Sequence, residues 1–434
     1  MNLSARDAAH IWHPFTQHRL ADLPLPIKKG SGSYLYDENG KSYLDLISSW
    51  WVNLHGHAHP EIARAIYDQA LELEHVIFSG FTHEPAVRLA ELLLQMLPPH
   101  FGKIFFSDNG STAVETALKM SYQYWQNKGE TQRQVFLGFQ GGYHGDTFGA
   151  MSVSQSAEST QRFRDLLFGS KIFSFPEIAT TDALTLALEA DVLTSLDEYL
   201  RDHHHTVVAM IIEPLVQGFT GMRMCTPRFV HALDQLLKSY GILTIYDEVM
   251  TGFGRTGKHF GCLVADTKPD FICVAKGITG GFLPLAATAC TDEIYQAFLG
   301  DTMSQALLHG HSYTANPLGC AAALASCEIL LRPETQQQIA MIGSVHQSFV
   351  PQLNANPALE KVRVTGTIAA FNLKQQLGYL SKSSYDLRNR FAEQGLLLRP
   401  FGQVIYLLPP YCITETELTQ AYHTIIHELE GVTA

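Results

Sequence analysis

Residues 242–276 read ILTIYDEVMTGFGRTGKHFGCLVADTKPDFICVAK, and this stretch decides the fold. ILTIYD and FICVAK are short runs rich in β-branched and aromatic side chains, apolar until a charge closes each, the pattern of strands buried on both faces. Outward from them, KIFFS (103–107), QVFLGF (134–139) and TVVAMIIEP (206–214) read as further strands. Between these runs, TAVETALKMSYQYWQ (112–126) and RFVHALDQLLKSYG (228–241) place apolar residues at helical spacing, the second ending at a glycine suited to the left-handed cap. Strands alternating with helices predict an α/β architecture, a doubly wound and mainly parallel sheet, over residues 61–328. The flanks differ. YLYDENGKSYLDL (34–46) alternates around Glu38-Asn39-Gly40, a hairpin signal, while KVRVTGTIAAFNL (361–373) and QVIYLLPP (403–410) read as strands among helices. Residues 1–60 and 329–434 are expected to form together a smaller α+β domain.

With 434 residues, 46% hydrophobic and 17% charged, the chain is too apolar for disorder and long enough for two or three domains. Lys plus Arg is 30 and Asp plus Glu is 42, a net charge of −12. That balance argues against nucleic acid or an anionic membrane as partner. Seven cysteines without a C-x-x-C pair read as thiols of a reducing compartment rather than a disulfide framework. There is no basic start followed by an apolar run, and no apolar stretch long enough to span a bilayer, so a cytoplasmic location is expected.

Asp247 closes one predicted strand, and Lys276, 29 residues later, closes another. One chemistry that needs both is that of pyridoxal phosphate, in which a lysine amine forms a Schiff base and an aspartate keeps the pyridine nitrogen protonated. The alternative is an ordinary solvated charge at each strand end. Asp108-Asn109-Gly110-Ser111-Thr112 follows KIFFS and opens a helix, with Thr112 and Glu115 spaced as a capping box. A helix N-terminus approached through glycine suits a phosphate dianion, although an ordinary N-cap reads the same way. Tyr143, on the glycine-rich turn of FQGGYHGDTFGAMS (139–152), is placed to lie on a flat cofactor or, equally, to fill core. Val249, two residues beyond Asp247, is expected on the same side of the strand, covering the opposite face. Glu213 ends a buried strand and is expected to face the site, without an assigned role.

IYDEVMTGFGRTG followed by PDFICVAKGITGGFLPLAA resembles the signature of the class III, fold type I pyridoxal-phosphate aminotransferases, and the likeness extends over nearly the whole chain. IWHPFTQ (11–17), the Trp50-Trp51 pair, GYHGDTFGAMS, EPLVQGFTGM, HGHSYTANPLGCA and LLLRPFGQVIYLLPPY are similar to those members that use S-adenosylmethionine to aminate 8-amino-7-oxononanoate in biotin synthesis. The resemblance implies Lys276 as Schiff-base lysine and proton shuttle, Asp247 as partner of the ring nitrogen, Gly110 and Ser111 as phosphate loop, and Tyr143 at the ring. It also implies that Gly310 and Ser312 reach the cofactor phosphate of a neighbouring subunit, so that the active unit is a homodimer. Members acting on ω-amino acids, one class of the alternative that also includes diamines, carry an arginine immediately before the residues leading to the C-terminal Pro-Pro, and here that position is Tyr406. Arg399 stands instead where a substrate's distal carboxylate is clamped, by a planar fork suited to that group. Trp51 and Tyr406 are implied to line an apolar channel for the substrate's methylenes, with Tyr143, Lys276 and Gly310 also touching substrate. Phe15 replaces the tyrosine usual in W-H-P-Y-T, removing a hydroxyl expected near the amino-donor site.

Two patterns are set aside on context. Gly252 to Lys258 satisfies G-x-G-x-x-G and nearly a P-loop, but His259 replaces the magnesium-holding hydroxyl and no helix with the required acidic residue follows. Arg255 in this loop either supports the site wall or is structural. His55, His57 and His59, and His203 to His205, lack a partnering Cys or carboxylate pattern, so they read as packing or solvated side chains rather than metal ligands.

Overall fold

A computed structural model describes residues 2–154, 160–378 and 382–430. The chain divides into two compact units, Met1–His59 with Gln337–Ala434, and Pro60–Gln336. In the smaller unit, β1 (Ile27–Ser31), β2 (Tyr34–Asp37) and β3 (Ser42–Asp45) form an antiparallel meander. Its second turn follows the chemistry read from the sequence. Asp37 Oδ1 accepts from the N–H groups of Asn39 and Lys41, both at 2.9 Å, and Gly40 takes a φ of 84°.

The larger unit is built on seven strands: β4 (Phe101–Ser107), β5 (Val135–Phe139), β6 (Ser170–Phe173), β7 (Val207–Ile212), β10 (Leu243–Asp247), β11 (Phe271–Val274) and β12 (Ala286–Thr291), with β8 (Val216–Gln217) and β9 (Arg223–Met224) as a separate ribbon. The order is β4-β12-β11-β10-β7-β5-β6, and β12 alone runs against the rest. Every residue of β7, β10 and β11 is buried, which is why these segments are apolar without alternation. Helix Gly110–Asn127 covers the sheet with Ala113, Val114, Ala117, Leu118, Tyr124 and Trp125, all buried in the core that Ile211, Ile245 and Phe271 share. Helix Pro227–Ser239 starts from a Thr226 N-cap and is followed by Gly241 at a φ of 64°. Among the described residues no helix is long and apolar enough to cross a membrane.

The C-terminal part of the smaller unit adds β13 (Leu359–Thr365), β14 (Ile368–Leu373), β15 (Leu396–Leu397) and β16 (Val404–Leu407). β13, β14 and β16 make an antiparallel sheet, and β15 pairs in parallel with β3, so the two ends of the chain share one sheet.

Three expectations are corrected. β6 and β12 are not among the expected strands, because SKIF is half polar and AATACT is half alanine, a weak strand former. The capping box is Asn109 with Thr112, each side chain bonded to the other's backbone N–H at 3.0 and 3.2 Å, and not Thr112 with Glu115. Glu115 turns instead to Thr147 Oγ1 and the Ala150 N–H. Val249 does not continue a strand, since β10 ends at Asp247 and the Val249 N–H folds back onto Asp247 Oδ1 at 3.1 Å.

This cap yields a prediction. Asn109→Ala removes the side chain that satisfies the Thr112 N–H, a loss of about 1 kcal/mol. The expected outcome is a lower unfolding temperature in calorimetry, with Thr112→Ala lowering it as well; unchanged melting of both variants would contradict the cap.

Candidate active site

Three adjacent strands deliver the chemistry. Glu213 follows β7, Asp247 ends β10, and Lys276 lies two residues beyond β11, all at the carboxyl ends where open α/β sheets bind ligands. Asp247 is 4% exposed, yet its oxygens are occupied: Oδ1 by the Val249 N–H and Oδ2 by His144 Nδ1 at 2.8 Å. His144 is buried in turn, and its backbone N–H donates to Ser154 Oγ at 2.9 Å. The carboxylate is therefore held in one orientation by groups that are themselves held. His144 is absent from the expected site residues. It stands beside Tyr143 in the glycine-rich motif, but no spacing rule ties position 144 to position 247.

Lys276 opens a short 3₁₀ turn, Lys276–Thr279, with a φ of 49°. A lysine at positive φ is strained, and such residues persist where the surroundings impose them. Burial pushes its amine down from 10.5 to about 8, and the charges of Asp247 and Glu213 pull it partly back. Glu213 is pushed up from 4.5 to about 7, chiefly by burial and further by Asp247. It accepts from the N–H groups of Tyr143 at 3.0 Å and Gly218 at 2.9 Å, which gives it the role the sequence left open: it ties the Tyr143 turn to the end of β7. The Tyr143 ring stacks on Phe219 at 4.4 Å and its hydroxyl donates to Asp146, while burial raises its pKa. Glu248 serves the GFGRTG loop. It accepts from Gly261, Cys262 and Thr251, each at 2.8 Å, and its buried carboxyl is raised to about 7.

Gly110 and Ser111 begin the Gly110–Asn127 helix, where backbone N–H groups lack intrahelical acceptors. A Cβ on Gly110 would lie 2.7 Å from Val249 Cγ1, so only glycine brings the helix start this close to the residue after Asp247's turn. Ser111 Oγ contacts Thr147 Oγ1 at 2.8 Å, and Gly145, at a φ of 128°, has no room for a Cβ beside Ser111. Gly310 and Ser312 are exposed and, among the described residues, share no hydrogen bond with these groups.

The remaining expected residues belong to the smaller unit and fall into two clusters. Trp51 and Tyr406, 4% and 1% exposed, pack with Phe401, which stacks on Tyr406 at 5.0 Å and meets Trp51 edge-on at 6.0 Å. Arg399 lies over the Trp50 ring at 4.2 Å, and Phe15 meets that ring edge-on at 5.6 Å. Phe15 and Arg399 line one cavity with Arg388, whose pKa is lowered by burial and by Arg399. Among the described residues no three His, Cys, Asp or Glu side chains are grouped to hold a metal; His57 Nε2, for one, contacts Asp45 Oδ2 at 2.9 Å.

The profile of the aminotransferase class-III family matches residues 15–429. The adenosylmethionine-8-amino-7-oxononanoate aminotransferase of Synechococcus elongatus is 48% identical over 427 residues, 98% of this chain and 99% of that one. The crystal structure of the Methanocaldococcus jannaschii enzyme of the same name superposes with a TM-score of 0.92 at 36% identity, covering 99% of this chain and 98% of the other. An amine transaminase from an uncultivated Pseudomonas species, solved with pyridoxal phosphate bound, gives 0.90 at 32%, covering 96% and 97%.

The electrostatics predict how Lys276 titrates. In cofactor-free protein, reductive methylation of its amine by formaldehyde and cyanoborohydride should accelerate with pH through a midpoint near 8 and then reach a plateau. Below that the amine is protonated and unreactive. Glu213→Gln removes a negative charge that favours the protonated form, so the midpoint should move to lower pH. Peptide mass spectrometry reads both, and a midpoint near 10.5 or an upward shift in the variant would contradict the assignment.

Proposed function

The chain belongs to the class III aminotransferases, and from that membership we propose that it transfers an amino group from S-adenosylmethionine to 8-amino-7-oxononanoate, giving 7,8-diaminononanoate for biotin synthesis. The observation that carries this reading is full-length identity of 48% to an enzyme named for that reaction. The cofactor is pyridoxal 5′-phosphate, and the residues present fit it: a buried amine depressed to about 8, a carboxylate fixed by His144, and a helix start whose glycine leaves no room for a side chain. When bound, that cofactor supplies an aldehyde carbon that takes up amino groups and a ring that draws electrons from the substrate carbon.

Each residue's part follows from its surroundings. Asp247 holds the ring nitrogen's proton, and His144 keeps its carboxylate aimed. The Lys276 amine, neutral above about 8, takes and returns the proton at the substrate carbon. The N–H groups of Gly110 and Ser111 take the phosphate, Val249 and Tyr143 bound the ring, and Glu213 fixes the Tyr143 turn. Arg399 takes the distal carboxylate of 8-amino-7-oxononanoate. Its guanidinium lies over the Trp50 ring at 4.2 Å, and its planar fork suits a bidentate carboxylate partner. Trp51 and Tyr406 form the apolar wall for the methylenes, and Phe15 adjoins the amino-donor position.

The active unit is a homodimer in the cytoplasm, with Gly310 and Ser312 completing the partner's phosphate site. Their segment supports this by exposing Met303, Leu308 and Tyr313, each more than 60% accessible.

The test is to supply purified enzyme with 8-amino-7-oxononanoate and S-adenosylmethionine, with ornithine and 1-phenylethylamine as control donors, and to detect diaminononanoate. Arg399→Lys keeps the charge but loses the planar fork. It should cost roughly 1.5–3 kcal/mol, tenfold or more in kcat/KM for the acceptor. A wild type that prefers the control donors, or a variant at full activity, would leave the family assignment and remove the substrate.

A further inference from the structure

Ser48, Ser49, Trp50 and Trp51 have φ values of 49°, 45°, 71° and 74°. Side chains other than glycine enter this left-handed region singly, because their Cβ crowds the following carbonyl. Four in succession without a glycine stand only where the surroundings impose them. The imposing group is Asp45, which ends β3 and is fully buried. It accepts from Ile47 N–H at 3.1 Å, Ser49 Oγ at 2.8 Å and His57 Nε2 at 2.9 Å. From the far side, Ser48 Oγ donates to the Leu408 carbonyl at 2.7 Å.

Proton counting fixes the imidazole. Asn53 Oδ1 accepts from the Gly56 N–H at 2.8 Å, so its amide nitrogen is the atom facing His57 Nδ1 at 3.3 Å. An amide nitrogen only donates, so Nδ1 accepts and the Nε2–H donates to Asp45. His57 is itself tied in place. Its backbone bonds to Gly32 in both directions, at 2.7 and 3.3 Å, and a Cβ on Gly30 would lie 2.6 Å from its own Cβ.

We infer that Asp45 and His57 are a positioning pair that holds Ser48–Trp51 in a left-handed turn, and thereby determines specificity by setting both indoles: Trp50 beneath Arg399 and Trp51 against Phe401 and Tyr406. Neither member touches substrate. Their effect on recognition rests on the reading above that Arg399 and Trp51 recognise the acceptor. If the turn relaxes to right-handed backbone, the two side chains leave in other directions, the wall and the base of the guanidinium separate, and the acceptor loses its fit.

The experiment compares Asp45→Asn and His57→Gln holoenzymes with wild type by near-UV circular dichroism and by kinetics with 8-amino-7-oxononanoate. The expected result is an altered tryptophan signal and a KM raised about tenfold with kcat much less affected. Adding Ser49→Gly to Asp45→Asn should restore both, because glycine adopts positive φ without strain, whereas Ser49→Ala should not. Should Asp45→Asn fail to fold, the single Ser49→Gly and Ser49→Ala variants make the same comparison. An unchanged tryptophan signal, or equal behaviour of glycine and alanine at position 49, overturns the inference. A signal that shifts and is rescued by glycine while KM stays constant upholds the pair's hold on the turn and refutes Arg399 and Trp51 as the acceptor site.

Discussion

The bond between Asp247 and His144 is the constraint on which the larger unit depends. A carboxylate closed off from water is costly unless its oxygens find donors, and the end of a parallel strand offers few. One oxygen is satisfied locally, when the chain folds back at Val249. The other requires an imidazole brought from about a hundred positions earlier, so the 139–154 segment must reach the end of β10. That requirement explains its glycines. Gly141 and Gly145 take positive φ, and Gly145 passes so close to Ser111 that no side chain fits. The same segment returns Thr147 to Ser111 and Glu115, which ties the start of the Gly110–Asn127 helix to the carboxylate's own support.

Competing magnitudes set the state of the amine. The fall of Lys276 from 10.5 to about 8 amounts to about 3 kcal/mol between its two protonation states. Two nearby carboxylates oppose it and lose, because removing water from an ammonium outweighs attraction to partners that are themselves buried and, in Glu213, raised to about 7. The smaller unit carries a cost of another kind. Left-handed backbone is unfavourable by roughly 1–2 kcal/mol per residue, and Ser48 to Trp51 adopt it without a glycine. A buried carboxylate with three donors is the kind of interaction large enough to offset part of that, and it stands beside the aromatic residues whose directions matter.

Where sequence reasoning misplaced a residue, a long-range interaction had displaced a local rule. Thr112 and Glu115 have the spacing of a capping box, yet Asn109 takes the cap because the Thr147 turn arrives to claim Glu115. Val249 has the alternation of a strand residue, yet the need of Asp247 for a donor ends the strand two positions earlier. AATACT is half alanine, a weak strand former, yet it lies between β4 and β11, where small side chains leave room for the Gly110–Asn127 helix and the Thr288 hydroxyl reaches that helix's Ala113 carbonyl at 2.8 Å.

What the sequence by itself determined is local or periodic. The apolar runs specified buried strands, the 3.6-residue spacing specified their covering helices, Asn39-Gly40 specified a hairpin, and motif resemblance specified the aminotransferase class. Asp247 and Lys276 were legible because a charge that closes an apolar run is conspicuous within a short window. Only the tertiary structure decided that His144 supports Asp247, that Glu213 anchors the Tyr143 turn, that His57 serves Asp45, and that two tryptophans stand on a left-handed turn. Those facts depend on which distant segments arrive at a buried carboxylate. The physical reason is that a buried polar group can be satisfied by any donor the fold delivers, so its partner is set by topology and not by spacing along the chain.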